Sequence, residues 1–149
     1  MYREVIRSTP WWSKGDVAGP RRDTIFVDMG ESSAPGMEGL LVARVYLFFK
    51  FSFADVQYPC ALVHWYTTVG TRPDGPTGLW VVEPEYTHRG CRNMGVIHLD
   101  SIVRGVHLLP RFPSNVQLPR EINYTQTLDI YRFFYVNKYV DHHAFEIAF

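Results

Sequence analysis

The stretch from Leu41 to Phe53, LVARVYLFFKFSF, constrains the fold of this chain more than any other segment. Apolar residues occupy every second position, and the positions between them are mixed. Such alternation, rich in aromatic and β-branched residues, predicts a β-strand with one buried face. The residues of that predicted face are Leu41, Ala43, Val45, Leu47, Phe49, Phe51 and Phe53. Because thirteen residues is long for a strand, we expect it to bend within a small barrel or curved sheet.

A second strand, Tyr58–Tyr66, is predicted to pair with the first one across a turn at Ala54–Gln57. If that turn closes symmetrically, the register follows, and a slip of one residue would exchange the two faces. The predicted cross-strand pairs are Phe49 with Leu62, Leu47 with His64, and Phe51 with Cys60.

The remaining segments predict one mainly β domain over residues 1–149. Shorter strands are expected at Arg22–Asp28, Leu79–Glu83, Val96–Leu99 and Val103–Leu109, separated by Gly- and Pro-rich loops. The chain of 149 residues is 46% apolar, which is enough for one core. The predicted fold is therefore a small curved antiparallel sheet or SH3-like barrel, with a helix at the C-terminal end. Residues 1–20 contain Pro10, Gly15, Gly19 and Pro20 and are expected to form an irregular arm.

Residues 127–147 form the predicted C-terminal helical element. Thr127 suits an N-cap and Asp129 suits the positive end of a helix, which we expect to run from about residue 128 to about 140. Aromatic residues follow helical spacing there, at Tyr131, Phe134, Tyr135 and Tyr139. With Phe133 they exceed what one narrow stripe can bury. We therefore expect Trp11 and Trp12 of the arm to cover this helix, the alternative being an apolar patch left for a partner.

The net charge of the chain is zero, which excludes a global positive field that would attract nucleic acid. One segment is nevertheless locally basic. Lys and Arg number 15, as do Asp and Glu. Residues 1–22 hold five basic and two acidic side chains, a net charge of +3, which makes Arg21 and Arg22 candidate phosphate contacts. Two cysteines are too few for a disulfide framework, and no signal peptide or membrane span is predicted. A reducing compartment, nuclear or cytoplasmic, is expected.

Aromatic residues near the strand ends are the candidate binding residues. In a small barrel such residues can build a cage for a methylated ammonium group. Ordinary core packing is the alternative and the interpretation that we favour. The candidates are Trp65, Tyr66, Trp80 and Tyr86, with Tyr58 as a further aromatic residue of the same kind.

Two sets of residues imitate metal sites. Cys60 and His64, with His88 and Cys91, have the composition of a zinc site. Positions i and i+4 of a strand lie about 13 Å apart, however, whereas zinc ligands lie about 2.0–2.3 Å from the metal, so we expect no shared zinc. The triplet Asp141-His142-His143 is similar to that of the DHH phosphoesterases, but it follows a predicted helix, and helix-end polarity is the simpler interpretation. No cofactor is expected.

Three stretches together resemble a C-terminal region of large proteins encoded by fungal transposons of the Plavaka and Kyakuja-Dileera-Zisupton kind. They are ARVYLFFKFSFADVQYPCALVHWY (43–66), GLWVVEPE (78–85) with VIHLDSIVRGVHLLP (96–110), and TLDIYRFFYVNKYVDHHAFEIA (127–148). The resemblance implies that the transposase catalytic acids lie upstream of this region. The order of strands, with the turn at IHLDSI, also resembles the bromo-adjacent homology (BAH) domain, a distorted barrel of chromatin proteins.

The functional hypothesis that follows is a non-catalytic accessory binding module. By the resemblance, its partner would be DNA, chromatin or another part of the transposase, with no membrane involved. One rival is a metal-dependent phosphodiesterase or nuclease that uses Asp141, His142 and His143. The other is a purely structural domain without a ligand. That alternative stays open because a fold by itself does not assign a function.

Overall fold

The computed structural model describes residues 3–115 and 120–149 of the chain. The helices within these ranges are short: α1 (Thr127–Ile130), α2 (His142–Ile147) and three 3₁₀ turns (Gly36–Gly39, Leu99–Ser101 and Tyr124–Gln126). The strands are β1 (Ser8–Lys14), β2 (Val17–Arg22), β3 (Thr24–Val27), β4 (Leu41–Phe53), β5 (Val56–Thr68), β6 (Val81–Pro84), β7 (Met94–His98), β8 (Ile102–Gly105), β9 (Leu108–Pro110) and β10 (Phe134–Val136).

Eight of these strands form one antiparallel sheet in the order β8-β3-β4-β5-β6-β10-β9, and β7 pairs with β5 as well. The sheet curls into a half-barrel, since β7 and β8 lie at opposite edges of β3-β4-β5 and are joined by the turn Leu99–Ser101. The predicted fold class is confirmed: the chain is mainly β, with a curled antiparallel sheet and a small C-terminal helix. Among the described residues, no helix has both the length and the apolar character needed to cross a membrane.

The long strand pair exists as predicted, but its predicted register is wrong. The turn contains only two residues, Ala54 and Asp55, with φ angles of 48° and 63°. A two-residue turn with both φ angles positive matches the twist of an antiparallel pair, so β5 begins already at Val56. The observed pairs are Phe49 with Cys60, Leu47 with Leu62, and Phe51 with Tyr58.

A β-bulge at Tyr46 divides β4 into two halves with opposite alternation. Val45 pairs with Val63 whereas Leu47 pairs with Leu62, so Tyr46 is an extra residue on β4. Beyond the bulge, Phe48 and not Leu47 lies on the same side of the sheet as Val45, and the two pack in one apolar cluster. The prediction that all seven odd-numbered residues share a buried face is wrong at Leu41, which is exposed at the start of the strand, and again past Val45, because one inserted residue reverses the alternation.

Two apolar clusters lie on opposite faces of the central strands. The inner cluster fills the half-barrel and consists of Ile25, Val27, Ala43, Val45, Ala61, Val63 and Ile97. The outer cluster lies between the sheet's other face and the C-terminal segment, and includes Phe26, Val42, Tyr66, Trp80, Val82, Phe134 and Val136. Each central strand thus buries side chains on both of its faces, which is the reason for its near-continuous apolar sequence.

The N-terminal segment is a β-hairpin and not the predicted irregular arm; residues 1 and 2 lie outside the described part. β1 and β2 pair across a turn at Gly15, whose φ of 62° suits glycine. Gly15 is thus a turn residue, and Pro10, Gly19 and Pro20 lie within the two strands of the hairpin. The hairpin is fastened to the sheet, since the Ser8 hydroxyl donates to the carbonyl of Val45 at 3.1 Å. Trp11 is exposed, and Trp12 lies under the guanidinium of Arg21.

The predicted helix over residues 128–140 is also wrong. The segment contains the single turn α1, then β10, and α2 starts only at His142. Phe134 pairs with Val82 of β6 on one side and with Pro110 of β9 on the other, and it is fully buried. Phe134 and Tyr135 of the aromatic run therefore lie in a strand with a neighbour on each side, where their β propensity is satisfied. The expectation that Trp11 and Trp12 cover a helix is overturned with the helix itself.

Candidate binding cleft

A cleft of about 560 Å³ opens beside Tyr46, and we term it the Tyr46 cleft. The bulge places Tyr46 there, in keeping with the way bulges redirect side chains next to functional sites. The walls come from β4, β5, β6, the loop around Tyr86 and the segment around α1. The lining residues are Arg44, Tyr46, His64, Tyr66, Thr67, Glu83, Pro84, Glu85, Tyr86, Arg92, Leu128, Asp129, Ile130, Tyr131 and Arg132.

Arg44 forms the floor of the cleft and is 3% exposed. Its Nη1 donates to Oδ1 of Asp129 at 2.7 Å, which ties α1 to the sheet. Burial opposes the charge of Arg44, but the hydrogen bond and charge of Asp129 outweigh it, so the pKa of Arg44 stays above its ordinary value. Its Nε has no hydrogen-bond partner in the described part of the chain. A buried arginine with an unused donor is costly unless something binds it.

Three guanidinium groups surround the ring of Tyr46. The Cζ atoms of Arg22, Arg92 and Arg44 lie 4.8, 5.5 and 5.8 Å from the ring centroid. Arg44 is paired with Asp129. Within residues 3–115 and 120–149, by contrast, no carboxylate lies at ion-pair distance from Arg22 or Arg92. These two cations are therefore held by the tyrosine ring and keep their N–H donors available to a ligand.

His64 joins the cleft to the core and is in contact with three tyrosines. Its ring centroid lies 6.3 Å from that of Tyr46, 5.8 Å from Tyr66 and 5.4 Å from Tyr86. Nε2 lies 2.8 Å from the carbonyl oxygen of Glu85, and since a carbonyl only accepts, Nε2 carries the proton. Burial lowers the pKa of His64, and the charges of Arg92 and Arg44 lower it further, against the bond to Glu85. The histidine is thus held neutral.

The acidic residues of the cleft are mostly paired. Asp129 binds Arg44, and Glu83 accepts from Nε of Arg132 at 3.0 Å. Glu85 is the acid that remains without an ion pair among the described residues. The lining residues hold three arginines and three acids, so that the one positive charge in excess is that of Arg22 over the Tyr46 ring.

The structure separates the predicted binding residues. Tyr66 and Tyr86 line the Tyr46 cleft, and Arg22 lies at its edge over the Tyr46 ring. Trp65 packs against the inner cluster on the opposite face of β5, and Trp80 is buried in the outer cluster. Arg21 is paired with Asp23 at 2.8 Å. The hypothesis of a cage built by Trp65, Tyr66, Trp80 and Tyr86 is therefore wrong, because neighbouring residues of one strand point to opposite faces.

Sequence reasoning missed the centre of the cleft. The sequence patterns point to neither Arg44, Tyr46 nor Arg92 as binding residues, and they present His64 as a strand residue with the composition of a zinc ligand. One signal was present, since Arg44 is a charged residue inside a strongly apolar strand. Lys and Arg are rarely buried without a partner, so such a residue marks a buried ion pair or a binding site.

The alternative metal residues are engaged in structural bonds. Asp141 caps α2 by accepting from the N–H of Ala144, and its oxygens receive two bonds of 2.8 and 2.7 Å from Arg104. These hydrogen bonds, with Arg104 the stronger cause, lower the pKa of Asp141 to about 2. His142 is exposed and faces Glu146, whereas His143 lies beside Arg104. Among the described residues no group of three or more His, Cys, Asp or Glu is arranged to hold a metal. This applies to the triplet Asp141-His142-His143 and to the set Cys60, His64, His88 and Cys91.

Comparison with protein-family models, with curated proteins and with solved structures found no match to this chain.

Proposed function

We propose that this chain is a non-catalytic accessory binding module of a transposon-encoded protein, and that it contacts the DNA backbone through the Tyr46 cleft. The observation that carries the proposal is the pair of arginines, Arg22 and Arg92, stacked on one tyrosine without an acidic partner in the described part of the chain. A guanidinium offers a planar set of donors that matches phosphate oxygens. Two such groups against one ring, Arg92 in the lining of the cleft and Arg22 at its edge, suit two phosphates of one strand.

The exposed ring of Tyr86 supports the same ligand. It lies in the loop that also carries Arg92, and the two residues form a β-bridge. An aromatic ring beside a cation provides a stacking surface for a nucleobase next to a phosphate contact. The paired acids, Glu83 and Asp129, leave only Glu85 to repel a phosphate.

Binding is better supported than catalysis by the state of the ionisable groups in the cleft. His64 is committed to the carbonyl of Glu85 and has a lowered pKa. Burial raises the pKa of Tyr66 far above its ordinary value, which makes its phenol a weaker acid than that of a free tyrosine. A DNA-contacting module of this kind would work in the nucleus. Its two free cysteines suit a reducing compartment.

The test is the affinity for labelled single- and double-stranded DNA, measured by fluorescence anisotropy over a range of salt concentrations. Two phosphate contacts predict a slope of log K against log salt of about −1.8 for a duplex. Arg22→Gln and Arg92→Gln should each reduce that slope by about 1 in magnitude and weaken binding regardless of sequence. Arg89→Gln is the matched control, because Arg89 is exposed and does not line the cleft.

Three results would contradict the proposal. The first is the absence of DNA binding at low salt, which would favour a chromatin protein, another part of the transposase, or a purely structural domain. The second is binding that Arg89→Gln weakens as much as Arg92→Gln does. The third is cleavage of DNA in the presence of Mg²⁺, Mn²⁺ or Zn²⁺ that His142→Ala abolishes, since that would establish the rival phosphodiesterase.

A further inference from the structure

Five exposed apolar residues lie on the outward side of the sheet beyond the bulge, four on the β4–β5 ribbon and one on β7, and together we term them the ribbon face. Leu47 is 52% exposed, Phe51 48%, Phe53 70% and Val56 50%, and Val96 on the neighbouring β7 is 57% exposed. None of the five lines the Tyr46 cleft. The ribbon face is a separate feature of the molecule.

Strand pairing shows that these residues lie on one side of the sheet. Leu47 pairs with Leu62 and Leu62 with Val96, so these three side chains form one row across β4, β5 and β7. Phe53 pairs with Val56 three outward-facing rows further along, on the same side. Between them the ring of Phe51 stacks on Tyr58 at 5.1 Å.

The opposite side of the ribbon does not have this character. Phe48 and Ala61 point there and pack on the inner cluster, followed by the polar Lys50 and Ser52. The ribbon itself is two strands wide near its tip, because β3 pairs with β4 only up to Arg44 and β7 with β5 only from Cys60. A two-stranded ribbon is marginal in water unless one face packs on something.

The size of the ribbon face approaches that of a protein interface. From their exposed fractions, its side chains present on the order of 600 Å² of apolar surface, at the top of the range for isolated monomers. A stable interface buries about 800 Å² on each partner. Beyond the bulge, the strands of this face carry no Asp, Glu, Lys or Arg on the outward side. The free energy of association must therefore come from apolar burial.

We propose that the ribbon face binds the ribbon face of a second copy of this chain, face to face across a twofold axis. Apolar sheet faces pack on one another at about 10 Å spacing, as in β-sandwiches. A twofold arrangement uses the same patch on both copies and closes the assembly at two. Joining of two β4 edges is disfavoured, because Lys50 lies at the middle of the free edge and would meet Lys50 of the other copy.

The experiment is sedimentation velocity of the full chain from about 1 µM to about 200 µM, the range in which an interface of this size is expected to show. The wild-type chain should sediment as a dimer that dissociates on dilution. Val96→Glu places a charge in the Leu47–Leu62–Val96 row and should raise the dissociation constant at least tenfold. Val103→Glu is the matched control, since Val103 is also an exposed valine on a strand but lies outside the ribbon face.

A second variant guards against loss of fold. Phe53→Ser lies at the tip of the ribbon and should also produce a monomer, with an unchanged circular dichroism spectrum. A wild-type chain that stays monomeric up to the highest concentration would overturn the proposal and leave a different protein as the occupant. A dimer that survives both Val96→Glu and Phe53→Ser would overturn it too, because the contact would then lie elsewhere.

Discussion

A single histidine, His64, reports on the electrostatics of the Tyr46 cleft. Its pKa is lowered by burial and by the charges of Arg92 and Arg44. Titration of the His64 ring by NMR should therefore give a pKa below the usual 6.5. Arg92→Gln removes one of the depressing charges and should move that pKa upward, whereas Arg89→Gln should leave it in place. A His64 pKa that does not respond to Arg92→Gln would mean that Arg92 does not lie over this cleft.

The same residue sets a direction for stability against pH. The folded chain binds the His64 proton less readily than the unfolded chain does, since the folded pKa is the lower one. The stability that this difference provides is present above pH 6.5 and is lost as the pH falls below it. Loss of stability as the pH falls below 6.5 is thus an expected property of the wild-type chain, measured by urea denaturation at a series of pH values.

At the scale of one element, the two-residue turn of the β4–β5 hairpin stores backbone strain. Ala54 has a φ of 48°, a conformation that costs an alanine on the order of 1 kcal/mol. Asparagine tolerates this region and is favoured in such turns. We therefore predict that Ala54→Asn raises the free energy of unfolding by roughly 0.5–1 kcal/mol, measured by urea denaturation.

A second exposed alanine provides the control for that prediction. Ala18 lies in β2 and has no positive φ angle. Asparagine is disfavoured in strands, so Ala18→Asn should not stabilise the chain. If both substitutions change stability in the same direction, relief of the turn is not the cause.

These elements also show where sequence reasoning reached its limit. Alternation fixed the existence and bounds of β4, because a period of two over thirteen residues has no helical explanation. The register depended on one inserted residue, Tyr46, and on a turn without Gly or Asn at its two positions, neither of which leaves a pattern. The run around Phe134 has a spacing that suits a helix and residue types that suit a strand. Pairing with β6 and β9, distant in sequence, decides between them.

The cleft was out of reach for a related reason. Arg22, Tyr46 and Arg92 come from three separate parts of the chain, and only the pairing of the strands brings them together. A buried arginine was readable as unusual within its strand, but its partner Asp129 lies 85 residues away. Tyr66 and Tyr86 were found because aromatic residues near strand ends are candidates on residue type alone.

For the whole molecule, the two apolar clusters share the strands β3, β4 and β5. Val42 and Ala43 are neighbours on β4, yet the first belongs to the outer cluster and the second to the inner one. Disruption of either cluster must therefore disturb the strands on which the other one rests. If the chain is the single domain expected from the sequence, it should unfold in one cooperative transition.

Two substitutions, one in each cluster, test that cooperativity. Phe134→Ala leaves a cavity in the outer cluster and should cost about 3–5 kcal/mol, and Ile97→Val trims the inner cluster at a cost of about 0.5–1.5 kcal/mol. Because the two residues belong to different clusters, the double variant should lose the sum to within about 0.5 kcal/mol. Circular dichroism and tryptophan fluorescence should follow the same single transition in each variant. If Phe134→Ala instead produces two transitions, with the inner cluster melting at the wild-type midpoint, then the half-barrel and the C-terminal layer are separate folding units and the expectation of one domain is wrong.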